Sequence, residues 1–149
     1  MNETELLIYL VENKLEKFQK KLYLNEKEIL NENNSNDINY KNTIIHNLVL
    51  NDGIELKTKL KSIYILCDIG ININAQNHDG QTAIHLVILN YLNHQAENSE
   101  VVDEIFEKNY GRETFELVNC LLINGCDLTI IDKYGNFFKH LKIFRYFER

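Results

Sequence analysis

IYILCDIGININAQNHDGQTAIHLV, residues 63–87, can be laid over LVNCLLINGCDLTIIDKYGNFFKHL, residues 117–141. Gly70 then falls on Gly125, Gly80 on Gly135 and His85 on His140, each at a spacing of 55 residues. A fainter copy lies upstream in INYKNTIIHNL, residues 38–48, where Thr43 and His46 are spaced as Thr82 and His85 are. Repetition at such distances marks a chain built from stacked units, and it changes how every other segment is read. The apolar faces Ile63-Leu66-Cys67 and Val118-Leu121-Leu122 each run into a glycine, which is the expected left-handed end of a helix. Asp79-Gly80 and Tyr134-Gly135 read as turns that open a new helical run, and Thr82 stands where a helix N-cap belongs. Each unit is thus a helix pair with a projecting turn. Such a unit cannot bury its apolar face alone, so neighbours must stack.

Working outward, ELLIYLVENKLEKFQKKL (residues 5–22) reads as a first helix pair. Leu6, Leu7, Leu10 and Val11 form one stripe; after a turn at Asn13-Lys14, Leu15, Phe18 and Leu22 form a second. LNENNSND, residues 30–37, reads as a polar loop. Residues 91–112, YLNHQAENSEVVDEIFEKNYGR, form an insertion between the His85 helix and the next helix. Val101, Val102, Ile105 and Phe106 can share one face, so the expectation there is a short additional helix packed on the outer side. The alternative is a partner-binding flap. The last stretch, FFKHLKIFRYFER, reads as a single helix without a partner.

These residues resemble the ankyrin repeat, whose pattern is roughly D-x-x-G-x-T-P-L-H, a helix, a second helix with V-x-x-L-L, then G-A-D-x-N. NHDGQTAIH, GININAQNHDG and VNCLLINGCDLTIIDKYGN carry the likeness, over about residues 38–141. Spacings of 39 and 55 exceed the family's 33-residue repeat by about 6 and about 22 residues. Proline is missing from every copy, with Ile44, Ala83 and Phe138 in its place, and Lys41 replaces the turn glycine of the first. The resemblance implies an all-α fold: one ankyrin-repeat solenoid over residues 1–149. Its parts would be an N-terminal capping helix pair (1–37), a repeat (38–74), a repeat with the insertion 91–112 (75–129) and a C-terminal capping half-repeat (130–149). It also implies that His46, His85 and His140 are structural, tying each turn to its neighbour.

Composition narrows the function. The chain has 149 residues and a formal charge of -6, which argues against a nucleic-acid binder. Residues 1–132 carry 11 basic against 21 acidic side chains, whereas residues 133–149 carry 5 (Lys133, Lys139, Lys142, Arg145, Arg149) against Glu148. That split predicts a polarised surface. No apolar run approaches the ~20 residues of a membrane helix, and the acidic start MNETELLIYLVENK does not read as a secretory signal. Three cysteines without a CxxC fit a reducing compartment, the cytoplasm; the viral resemblance described below implies the host cytoplasm or nucleus. Cys67, Cys120 and Cys126 are expected as small buried hydrophobes. No HExxH, phosphate loop, dinucleotide fingerprint or nucleophile elbow is present. The expectation is therefore a non-enzymatic chain with no cofactor and no metal site, and a monomer.

By the resemblance, such a chain binds another protein through hairpin tips. Carried over position by position, the contacts are Asn39, Tyr40 and Asn42 in the first hairpin. The second supplies Gln76, His78, Asp79 and Gln81, and the third supplies Ile131, Lys133, Tyr134 and Asn136. His78 and His94 are expected to be solvent-exposed. The abundance of Asn (21) and Ile (18), the short length and the insertion look similar to ankyrin proteins of large DNA viruses, poxviruses above all. That implies a protein that blocks or sequesters a host regulatory or immune-signalling component. Alternatives are mimicry of the cytoplasmic ankyrin inhibitors of Rel-type transcription factors, or an ordinary cellular or bacterial scaffold. The rival of a different class is a metal-binding protein or enzyme.

Overall fold

Three helix-ending turns set the architecture. The computed structural model describes residues 3–34, 42–97 and 104–135. In it α1 (Glu3–Val11) ends at Asn13, α5 (Leu56–Asp68) at Gly70 and α7 (Glu104–Ile123) at Gly125. All three residues have positive φ: +59°, +98° and +98°. Each donates its N–H three residues back, and the residue after it donates five back: Lys14 N to Tyr9 O (2.7 Å), Ile71 N to Leu66 O and Cys126 N to Leu121 O (both 3.1 Å). This double bond pattern satisfies carbonyls that would otherwise be orphaned at the helix end. Glycine adopts the required conformation without a Cβ penalty, and asparagine is the usual substitute.

Between these turns lie α2 (Leu15–Leu24), α3 (Glu26–Asn34), α4 (Ile44–Leu50) and α6 (Ala83–Glu97). All the described elements are helices; no strand occurs among the described residues. Like packs on like: α4 lies against α6, and α2, α5 and α7 form a second row, while α1 packs on α2 and α6 on α7. One continuous core results, with Leu6, Leu10, Phe18, Leu22, Ile44, Ile45, Leu48, Ile63, Leu66, Ile88, Val118 and Leu121 sealed from solvent. None of the described helices is long and apolar enough to cross a membrane.

Three sequence expectations need correction. The N-terminal element is three helices among residues 3–34, not a pair, because the supposed polar loop is helical up to Asn34. Its segment reads as polar because, among its described side chains, Ile29 is the one fully buried, with Leu30 half-buried against the core. Val11 does not belong to the buried stripe: it is 47% exposed, at the end of α1. Finally, the insertion is not an additional helix. Residues 104–112 are the first half of α7, and residues 90–97 extend α6. Gly111 costs a helix about 1 kcal/mol relative to alanine. Here it lets α6 come close, since a Cβ at Gly111 would meet the Tyr91 hydroxyl at 3.4 Å. Val101 and Val102 lie outside the described residues.

One buried charge went unforeseen. Lys59 is 7% exposed, and its Nζ donates to Val49 O at 3.2 Å, in the last turn of α4. Burial pulls its pKa below the usual lysine range, while Asp52 and Glu113 nearby favour its charge. A cation at a helix C-terminus is favourably placed, and the long stem fills space between helices.

Candidate protein-binding surface

The second hairpin is organised by a residue that the sequence reading passed over. Asn77 is buried, and its Oδ1 accepts from the backbone N–H of Asp79 and of Gln81, both at 3.0 Å. Its Nδ2 donates to Asn42 Oδ1 (2.9 Å) and Gln81 Oε1 (3.2 Å), and its carbonyl accepts from Gly80 N. An asparagine that bonds its own backbone two residues on makes a turn from a single side chain. The third hairpin repeats the device with Asp132, also buried, whose Oδ1 accepts from Tyr134 N at 2.9 Å while its carbonyl accepts from Gly135 N. Residues 77 and 132 are 55 apart, so the spacing that matched the glycines would also have found this pair. We expect Asn77→Ala to lower stability by about 1–3 kcal/mol, because it leaves buried donors and acceptors without partners; thermal melts of the two proteins measure it.

The hairpins are lashed to one another. Lys133 N donates to Asp79 O at 2.8 Å. The Asp79 carboxylate faces Tyr134 Oη at 3.3 Å, Lys133 Nζ at 3.4 Å and His78 Nε2 at 3.5 Å. Lys133 also sits 5.7 Å above the Tyr134 ring. Deeper, Asn74 clamps the loop after α7: its Nδ2 donates to Gly125 O (3.1 Å) and its Oδ1 accepts from Asp127 N (2.7 Å). On the other side, His46 Nε2 meets Gln81 O at 2.7 Å, so α4 holds the second hairpin in the way expected of a structural histidine. His85 makes the same local contact with Thr82 that His46 makes with Thr43, at 2.8 Å in both.

Of the proposed contact residues, Gln76, His78, Ile131, Lys133 and Tyr134 are exposed, Tyr134 by 64% and Ile131 by 55%. Asn42, Asp79 and Gln81 are half-buried and spend their polar atoms on neighbouring turns, so they shape the surface more than they present it. Asn39, Tyr40 and Asn136 lie outside the described residues, as does His140. His94 is half-buried near the end of α6, not exposed.

The cysteines are free, with Cys120 buried and Cys67 and Cys126 half-buried. Burial, helped by the neighbouring thiols, pushes Cys120 up to about 11 and Cys126 up to about 12. Thiols held that high carry almost no thiolate at neutral pH and are poor nucleophiles. Among the described residues no group of three or more His, Cys, Asp or Glu side chains is arranged to hold a metal ion. Comparison of the chain with protein-family models, with curated proteins and with solved structures gave no match.

Proposed function

We propose that this chain is a non-enzymatic interaction module, stacked in the manner of an ankyrin solenoid, that binds a protein partner through its second and third hairpin tips. The observation that carries this reading is a set of outward side chains on fixed backbone. His78, Ile131, Lys133 and Tyr134 remain exposed on turns that Asn77, Asp132 and Asp79 hold rigid. An exposed aromatic beside a cation is the composition of an interface anchor. The stacking of first helices on first and second on second, with Thr-x-x-His at two helix starts, supports the ankyrin-like arrangement.

Tyr134→Ala tests it. Its phenol bond to Asp79 is solvent-exposed, so folding stability should change by no more than about 0.5 kcal/mol. Binding to a partner captured from host-cell lysate should weaken by about 1 kcal/mol or more. Equal affinities of the two proteins would move the binding face to other residues. Stoichiometric zinc in the purified protein would favour the metal-binding rival and overturn the structural role given to the histidines.

A further inference from the structure

Helix α4 is seven residues long, barely two turns, and it rests on one imidazole. His46 has no exposed surface. Its Nδ1 accepts from Thr43 N at 3.1 Å and lies 2.8 Å from Thr43 Oγ1, closing a capping box. A backbone N–H can only donate, so Nδ1 must be unprotonated and the ring's hydrogen sits on Nε2, where it donates to Gln81 O. Both ring nitrogens are therefore committed, one to the start of α4 and the other to the second hairpin.

A proton added to Nδ1 would turn that acceptor into a donor facing the Thr43 N–H, and would place a charge where no water reaches. The Thr43 hydroxyl is then the one acceptor left to Nδ1, and the charge reaches water only if the ring swings out, abandoning both the cap and Gln81. We propose that His46 is an acid-sensitive latch: its protonation releases α4 and frees the second hairpin from it, while the longer helices stay folded. A short helix depends on its cap and tertiary contacts more than a long one does. The 15-residue α6 starts on the similar Thr82–His85 pair but has twice the length to hold it.

The surroundings of the ring support the direction. Burial holds His46 below the usual histidine range; the bond to Gln81 O works against this by favouring the proton, and the charge of His85 on α6 adds to the lowering. On α5 the buried cation is Lys59, whose ammonium sits on Val49 O at the far end of α4, with Asp52 and Glu113 acting on it. Among the described residues no carboxylate acts on the His46 ring to hold a proton there. The unfolded imidazole titrates near 6.5. Below that pH the opened state takes a proton that the closed state refuses, so closure weakens as pH falls and levels off once closed His46 itself protonates. Above about 6.5 both states are neutral and the latch is fully engaged.

Site-resolved amide hydrogen exchange tests this on the intact chain between pH 7.5 and 5.0, corrected for intrinsic exchange. We expect protection of Leu48, Val49 and Leu50 to fall by up to tenfold per pH unit below about 6.5, while Ile63 and Leu66 in α5 stay protected. In His46→Gln the α4 amides should be less protected throughout and flat with pH. Unchanged α4 protection in the wild type, or equal losses in α4 and α5, would overturn the proposal. Should the variant fail to fold, NMR titration of the wild-type imidazole decides. The His46 ring must be the Nε2–H tautomer at pH 7.5, and the free energy of α4 opening must follow a one-proton curve ending at its measured pKa; any other tautomer or curve rejects the latch.

Discussion

Leu121→Ala should lower stability by about 2–5 kcal/mol, the usual cost of emptying a sealed leucine site. Leu121 has no exposed surface, and its carbonyl accepts the N–H of Cys126 that completes the end of α7. It sits in the row where α7 meets α5, beside Ile63 and Leu66 in the same core. In a stack each layer touches only its neighbours, so few other contacts can take up the loss. For a chain of this size each kcal/mol moves the midpoint by about 2–4 °C, which puts the expected fall in Tm at about 4–20 °C. Leu122, half-buried on the next position, provides the comparison: Leu122→Ala should cost clearly less. Equal midpoints for wild type and Leu121→Ala would mean that the row of second helices is wrongly placed.

Gly80→Ala should be the most damaging of the glycine substitutions in the turns. Its φ of +74° costs a non-glycine residue about 1–2 kcal/mol. In addition, an alanine Cβ would stand 3.1 Å from Lys133 N and 3.3 Å from Asp132 Cα. Both are backbone atoms of the third hairpin and cannot rotate away, so the two hairpins must move apart and stretch the bond from Lys133 N to Asp79 O. Overpacking of that kind adds about 1–3 kcal/mol. Gly125→Ala is the control. It has the same left-handed strain at φ +98°, but a Cβ there meets nothing within 4 Å. Chemical denaturation of the two variants should therefore separate strain from collision. If Gly125→Ala proved as destabilising as Gly80→Ala, the close approach of the two hairpins would be in error.

The sequence made the repeated features legible and hid the singular ones. Gly70 and Gly125 take the positive φ expected just after a helix, Gly80 and Gly135 take it in their turns, and His46 ties α4 to the second hairpin as a structural histidine should. Asn77 and Asp132 share that spacing, yet asparagine and aspartate in turns are ordinary, and nothing in composition says that these two are buried. Lys59 has no counterpart to be aligned with, and a lysine in a helix is read as surface unless its neighbours are known. The α3 helix escaped because, among its described side chains, one alone is fully buried, too little for a periodic signal. Asp79 was legible only as a contact position carried over from the resemblance; its role as the joint between two turns depends on where the third hairpin lies.

The lengthened third pair bears on how such a chain tolerates indels. Against the seven residues of α4 and thirteen of α5, α6 has fifteen and α7 has twenty. The increments are eight and seven, each close to two full turns at 3.6 residues per turn. Seven added residues return the apolar side chains to within about 20° of the same face, whereas five would rotate the stripe by about 140°, off the core. Length variation in such a helix pair should therefore be quantised in whole turns. It should also accumulate where α6 ends and α7 begins, away from the turn at Asn77 and Gly80, so the two ends of one pair are free to diverge at different rates.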